Sequence, residues 1–290
     1  MSTPGLRLTG YNPAVNAHSI AIIGGGNMGR ALAGGLVRQG VPGRSIRVGE
    51  PSAAVRASLE QDFGCSATAD NAQAVAGVRI VVIAVKPQEA ARVVAALRPA
   101  LAEHVPVVVS IAAGIEIRSL EAWCGAGVPV VRAMPNRPAL VGAGATALYA
   151  PPHVSAAARA RAEDVMRALG AAIWVAAESD LDLVTALSGS GPAYFFLLAE
   201  MMMQAAVNRG LDPEAARVLA VETLHGAGAL AHASGDLARL RAEVASKGGT
   251  TEAALRVLAG ESGLAPLVQR AIDAAAQRSR ELAKQFGAGD

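Results

Sequence analysis

The segment Val244–Leu255, VASKGGTTEAAL, joins a hydroxyl-rich loop directly to a helix-forming run. Ser246, Thr250 and Thr251 offer hydroxyls, Gly248 and Gly249 allow close backbone approach, and the free amides opening the following helix point at whatever sits there. These are the parts of a cradle for a small anion. A second motif, Gly24-Gly25-Gly26-Asn27-Met28-Gly29, lies far upstream, between the apolar run Ser19–Ile23 and a stretch with Leu32, Leu36 and Val37 at helical spacing. In that strand–turn–helix setting it predicts a dinucleotide site. Gly24 makes the turn, Gly26 admits the pyrophosphate, and Gly29 lets helix and strand pack closely.

Glu50 ends the next strand, where an acid usually holds the adenosine ribose. A carboxylate there repels a 2′-phosphate and argues for NAD, whereas Ser52 and Arg56 just downstream offer that phosphate partners, so NADH and NADPH both stay open. Ala84-Val85-Lys86-Pro87, Ser110–Gly114 and Arg132–Asn136 each leave the end of an apolar run, where open α/β sheets place their ligands, and suggest the floor of a nicotinamide site. Of 26 basic residues only Lys86, Lys247 and Lys284 are lysines, and two of those three fall in motifs. His18, His104, His153, His225 and His232 stand outside every motif and read as surface or packing residues.

The elements that must position these groups follow from the hydrophobic pattern. Strands are expected near Ser45–Val48, Arg79–Val85, Val105–Ser110, Val128–Arg132, Ala145–Tyr149 and Ile173–Val175, with helices over Met28–Gln39, Ala53–Gln61 and Ser155–Leu169. Arg79–Val85 is apolar almost throughout, as for a parallel strand covered on both faces. Alternating strands and helices predict a doubly wound, Rossmann-type α/β sheet over residues 19–177, preceded by a flexible leader over 1–18. After Glu178 the strand signals stop, predicting an all-helical second domain over 178–290. Its helix Pro192–Asn208 is apolar nearly all round. It is therefore either central in its domain or covered by another subunit, and an intertwined dimer is the expected solution for so small a domain.

With 290 residues, 52% hydrophobic and 17% charged, the chain has ample material for a core. A formal charge of +2, 3% aromatics and no concentrated Lys/Arg run argue against nucleic acid. Cys65 and Cys124 show neither disulfide nor metal-ligand spacing, so two reduced structural thiols and no metal are expected. The apolar stretch Pro192–Val207 is interrupted by Glu200 and Gln204 and is shorter than the roughly 20 residues of a membrane span, so it reads as a buried helix. Residues 1–19 lack the apolar core of a secretory signal, and a cytoplasmic enzyme is expected.

Taken together, Ile23–Met28, Ala84–Gln88, Arg132–Asn136, Leu187–Tyr194 and Val244–Leu255 resemble pyrroline-5-carboxylate reductase, over residues from about 19 to 285. The resemblance implies NAD(P)H-dependent reduction of the cyclic imine 1-pyrroline-5-carboxylate to L-proline, the final step of proline biosynthesis. It also implies a homodimer interlocked through the helical domains, often built into decamers. By matching position it implies cofactor contacts from Asn71, Ala84, Lys86 and Ala113 beside the Gly24–Met28 turn and the neighbouring Pro87. The substrate would be held by Ser246, Gly249, Thr250 and Thr251, with Glu178 as a more loosely aligned neighbour and the Thr251 hydroxyl toward the imine nitrogen. Lys247 stands where relatives commonly have proline and Arg137 where many have threonine, which weakens any catalytic role for Lys247.

The nearest enzymatic alternative, a 3-hydroxyacid dehydrogenase, needs a lysine about a turn beyond the glycine pair that opens its central helix; here Tyr194–Leu198 supply none. A ketol-acid reductoisomerase needs paired metal-binding carboxylates, which are not evident. A non-catalytic cofactor sensor would have little use for an intact Ser246, Thr250 and Thr251.

Overall fold

The computed structural model describes residues 20–287, so the leader expected over 1–18 and His18 lie outside the described residues. In chain order the elements are β1 (Ile20–Ile23), α1 (Asn27–Arg38), β2 (Ile46–Gly49), α2 (Ala53–Phe63), β3 (Ser66–Thr68), α3 (Asn71–Val75), β4 (Ile80–Ile83), α4 (Pro87–His104), β5 (Val107–Ser110), α5 (Ile117–Cys124), β6 (Val130–Met134), β7 (Gly144–Tyr149), α6 (Ala156–Met166) and β8 (Gly170–Trp174). Helices α7 (Asp180–Val184), α8 (Gly191–Val207), α9 (Pro213–Ser234), α10 (Leu237–Val244), α11 (Thr250–Leu258) and α12 (Leu264–Gly287) follow.

The strands form one sheet in the order β3-β2-β1-β4-β5-β6-β7-β8. All neighbours run parallel except β6 and β7, which pair antiparallel through Arg132–Tyr149, Ala133–Leu148 and Met134–Ala147. Each central strand feeds both faces. Ile20 and Ile22 of β1 join the core formed by Leu32 and Leu36 of α1 with Leu59, Val165 and Met166, whereas Ala21 and Ile23 join Val94, Leu97 and Leu101 of α4 with Leu120. That two-sided burial is why these strands are apolar at every position rather than alternating. Because the chain runs β1 to β2 on one side and returns to β4 on the other, the carboxyl ends of β1 and β4 bound a crevice at the sheet's topological switch.

The described residues fall into two compact units, one running up to Gly189 and resumed from Ala276, the other Ser190–Ala275. In the first unit the returning end of α12 is pinned by Ser279 Oγ, which donates to Asp182 Oδ1 at 2.6 Å, and Phe286 packs on the core beneath β4 and β5.

The second unit is helical. Its α8 is not buried within its own unit: Phe195 is 61% exposed, Phe196 58% and Met201 61%. On α9, Leu219 and Leu230 are equally bare. By length and composition the run Asp180–Val207 is sufficient to cross a membrane, and only 17% of its most apolar window is buried. Of the two coverings weighed from sequence, a position central to its own unit is excluded, which leaves the surface needing a partner.

Candidate active site

The glycine turn is built by the neighbouring strand. Gly24 adopts φ +106°, and a Cβ there would lie 2.7 Å from the Ala84 carbonyl oxygen at the end of β4. Gly24 N donates to Gly49 O at 2.8 Å and Ala84 N to Ile23 O at 2.8 Å, so the ends of β1, β2 and β4 are stitched together around the turn. Gly26 is different. It is exposed, its φ of −64° suits any residue, and nothing lies within 4 Å of where its Cβ would be. As N-cap of α1 it brings no side chain to the first-turn amides. An uncapped helix start beside open space can receive a phosphate group.

Around this turn the other expected cofactor residues take separate positions. Asn71 opens α3, and its buried Oδ1 has no hydrogen-bond partner; a side chain at Gly49 would collide with it. A buried amide oxygen without a partner in the protein is the kind of group that a ligand hydroxyl satisfies. Lys86 is the exposed N-cap of α4, with Pro87 at N1 preorganising that helix start. After β5, Ser110 Oγ accepts from Ala112 N at 3.3 Å, leaving Ala113 half-buried at the turn. Asn27 is exposed and Met28 half-buried at the head of α1. The residues present fit a dinucleotide: an open, uncapped glycine turn, an orphaned amide oxygen, and small residues at the ends of β4 and β5.

Glu50 is engaged rather than free. Its Oε2 accepts from Gly25 N at 2.8 Å and its Oε1 from Ser52 N at 2.9 Å. Arg56 Nη1 donates to the carbonyls of Glu50 and Pro51, both at 2.7 Å. Glu178 is likewise committed: Oε1 accepts from Arg132 Nη1 at 3.0 Å and from Ile117 N at 2.7 Å, at the first turn of α5. Arg132 is buried in β6, so this pair neutralises a charge that β6 could not otherwise hold. Asn136 bridges two segments, its Oδ1 accepting from Ala145 N at 2.8 Å while Nδ2 donates to Ser188 Oγ at 3.1 Å in a π-helical turn, Thr185–Gly189. Such turns frequently mark functional sites. Both thiols are buried: burial, with Glu60 nearby, pushes Cys65 up to about 11, and burial, with Glu121 nearby, pushes Cys124 up to about 12.

In the second unit the acid loop spans α10 to α11. Gly249 is the N-cap of α11 and supplies no side-chain cap. A Cβ at Gly249 would strike Ser246 Oγ, so glycine here is what lets that hydroxyl lie against the helix start. Thr250 and Thr251 are the first two helical residues, which removes the capping role that a threonine commonly has. Gly248 takes φ +71° and donates its N–H to Glu252 at 2.5 Å. Glu252 was not singled out from sequence; from the first turn of α11 it reaches back to the amide preceding the cap residue. Lys247 is exposed.

The dimerisation model of pyrroline-5-carboxylate reductase matches residues 178–282, and a model described as NADP oxidoreductase, coenzyme F420-dependent, matches residues 19–114. A pyrroline-5-carboxylate reductase from Pseudomonas aeruginosa is 48% identical over 269 residues, covering 92% of this chain and 98% of that protein. Among solved structures, a pyrroline-5-carboxylate reductase from Coxiella burnetii superposes with a TM-score of 0.88 at 39% identity, covering 92% of this chain and 99% of that one. Another from Plasmodium falciparum, with NADP bound, superposes with a TM-score of 0.77 at 28% identity, covering 92% and 99%. A ketol-acid reductoisomerase at 18% identity and a 3-hydroxyisobutyrate dehydrogenase at 17% share the fold alone. With relatives of this identity matched along almost their whole length, the chain belongs to the pyrroline-5-carboxylate reductase family.

Proposed function

We propose that this chain reduces 1-pyrroline-5-carboxylate to L-proline with NADH or NADPH, closing proline biosynthesis. The observation that carries the reading is the acid loop: an uncapped α11 start with Ser246 Oγ lying against Gly249 and two threonine hydroxyls unused as caps. Its amides and hydroxyls hold the substrate carboxylate, with Ser246, Gly249 and Thr250 gripping and Thr251 turned toward the ring nitrogen.

The reduced nicotinamide supplies a hydride to the imine carbon when bound. Gly24, Gly25, Gly26, Asn27 and Met28 would receive its pyrophosphate, Glu50 its adenosine ribose, and Asn71, Ala84, Lys86, Pro87 and Ala113 would line the remainder. As C=N becomes CH–NH, the nitrogen gains one proton. Thr251 is a neutral hydroxyl and a poor acid, so it orients the nitrogen; the proton arrives with the substrate as an iminium, or through water. Glu178 is a substrate neighbour by resemblance alone, and its charge is balanced by Arg132. Lys247 takes no part.

A homodimer built through α8 and α9 covers the bare apolar surface of the helical unit, and further assembly to a decamer is compatible with it. That covering also removes the need for a bilayer. Two unpaired buried thiols suit a reducing, cytoplasmic compartment. The test is turnover: purified protein with 1-pyrroline-5-carboxylate and each cofactor, monitored by loss of reduced nicotinamide and by L-proline formed. Folded protein without turnover on either cofactor refutes the assignment.

A further inference from the structure

Between the glycine turn and α2 lies a slot for an anion, and the chain fills it itself. The Ser52 amide at the N-cap of α2 is the natural place for a phosphate, since it combines a free donor with the positive end of an 11-residue helix. Here that amide donates to Glu50 Oε1 at 2.9 Å, and the other oxygen is held from the opposite side by Gly25 N at 2.8 Å. The side chain also lies close against the turn. A Cβ at Gly25 would lie 3.1 Å from Glu50 Cγ and 2.9 Å from Val55 and Leu59, so the carboxylate stem lies packed between the turn and α2.

The two side chains able to answer a 2′-phosphate are turned to the backbone. Arg56 Nη1 spans the Glu50 and Pro51 carbonyls at 2.7 Å each, and Ser52 Oγ faces Val55 N at 3.5 Å as the helix cap. Each carboxylate oxygen of Glu50 still has a lone pair to spare, which suits it to accept from vicinal hydroxyls. Moving the carboxylate aside for a phosphate would strand two backbone donors and break two charge-assisted bonds.

We propose that Glu50, clamped by Gly25 and Ser52, makes this chain prefer NADH by accepting from the adenosine ribose diol and repelling a 2′-phosphate. The inference rests on the dinucleotide reading of the first unit. Discrimination arises as much from the like charge it opposes to the wrong cofactor as from the bonds it offers the right one.

The experiment is calorimetric titration of the whole protein with ADP-ribose and with 2′-phospho-ADP-ribose, which needs no turnover. ADP-ribose is expected to bind tighter by about tenfold. A margin below about threefold, or the reverse order, overturns the proposal. Glu50→Gln keeps the shape and removes the charge, and it should bring the two ligands within about threefold of each other by improving the phosphorylated one. An unchanged ratio in that variant, checked for native circular dichroism, also overturns it, because the selectivity would then reside elsewhere. If neither ligand binds the folded wild-type protein, the dinucleotide reading itself fails.

Discussion

Replacing Gly26 with alanine separates what the glycine turn does for the fold from what it does for a ligand. At φ −64° and ψ −172° the position suits an L-residue, and nothing lies within 4 Å of the new methyl. The unfolded chain loses conformational freedom on this change, worth about 0.4–1 kcal/mol, but alanine is a poorer N-cap than glycine by a similar amount, so stability should stay within about 1 kcal/mol of wild type. The same methyl stands where the pyrophosphate must approach the uncapped start of α1. Retreat from those amides sacrifices charge-assisted bonds of about 1.5–3 kcal/mol each. Affinity for ADP-ribose should therefore fall by about tenfold to a hundredfold. Gly24→Ala makes the opposite case. With φ +106° and a methyl forced 2.7 Å from the Ala84 carbonyl, left-handed backbone and overpacking together should destabilise by about 2–5 kcal/mol. Urea unfolding and calorimetric titration read both quantities. If Gly26→Ala binds ADP-ribose within about twofold of wild type, the pyrophosphate is not seated at this turn, and the reasoning from open space to ligand is wrong.

Glu178→Ala should cost about 2–3 kcal/mol in urea unfolding, less than a fully buried pair because the Glu178 side chain keeps 27% of its surface while Arg132 keeps 7%. Arg132→Met on that background should recover part of the loss, whereas strictly additive losses would show that the pair is not coupled. Native protein at pH 8 should leave Cys65 and Cys124 unlabelled by a thiol reagent, with both reacting after denaturation. Because burial raises both thiols, to about 11 and about 12, the unfolded chain sheds protons from pH 9 upward that the folded chain keeps, so this part of the stability is present below pH 9 and is lost as pH rises toward those values. Thr251→Ala should lower kcat/KM for 1-pyrroline-5-carboxylate by about tenfold to a hundredfold while leaving ADP-ribose affinity unchanged; full activity would remove that hydroxyl from the mechanism.

Much of this site can be read from residue order because its parts are local. The strand–turn–helix at Ile20–Arg38 and the loop entering α11 each declare themselves within a dozen residues, through glycine, hydroxyls and apolar spacing. What escapes the sequence is non-local. The reversal of β7 against β6 leaves no mark in an apolar run that would look the same in either direction. The short edge strand β3, half-exposed, has too few residues for a period. Helix α4 carries Pro99 in its interior, where a reading from propensity would stop it. Helix α8 looked buried because its side chains are apolar, yet pattern reports only that a surface must be covered, not by which chain. Glu50 shows the limit most clearly. Its position suggested a ribose partner, but that Gly25 and Ser52 already hold it, and that Arg56 Nη1 turns to two carbonyls, emerges only when β2, the turn and α2 meet.

The claim that Ser246–Thr251 grips a substrate carboxylate is tested most directly by deleting the carboxylate from the substrate. With wild-type protein and saturating cofactor, kcat/KM for 1-pyrroline should lie about a hundredfold to ten-thousandfold below that for 1-pyrroline-5-carboxylate, since at least two charge-assisted bonds of about 1.5–3 kcal/mol are lost. Turnover of the two imines within about tenfold of each other would mean that the loop does not hold the acid.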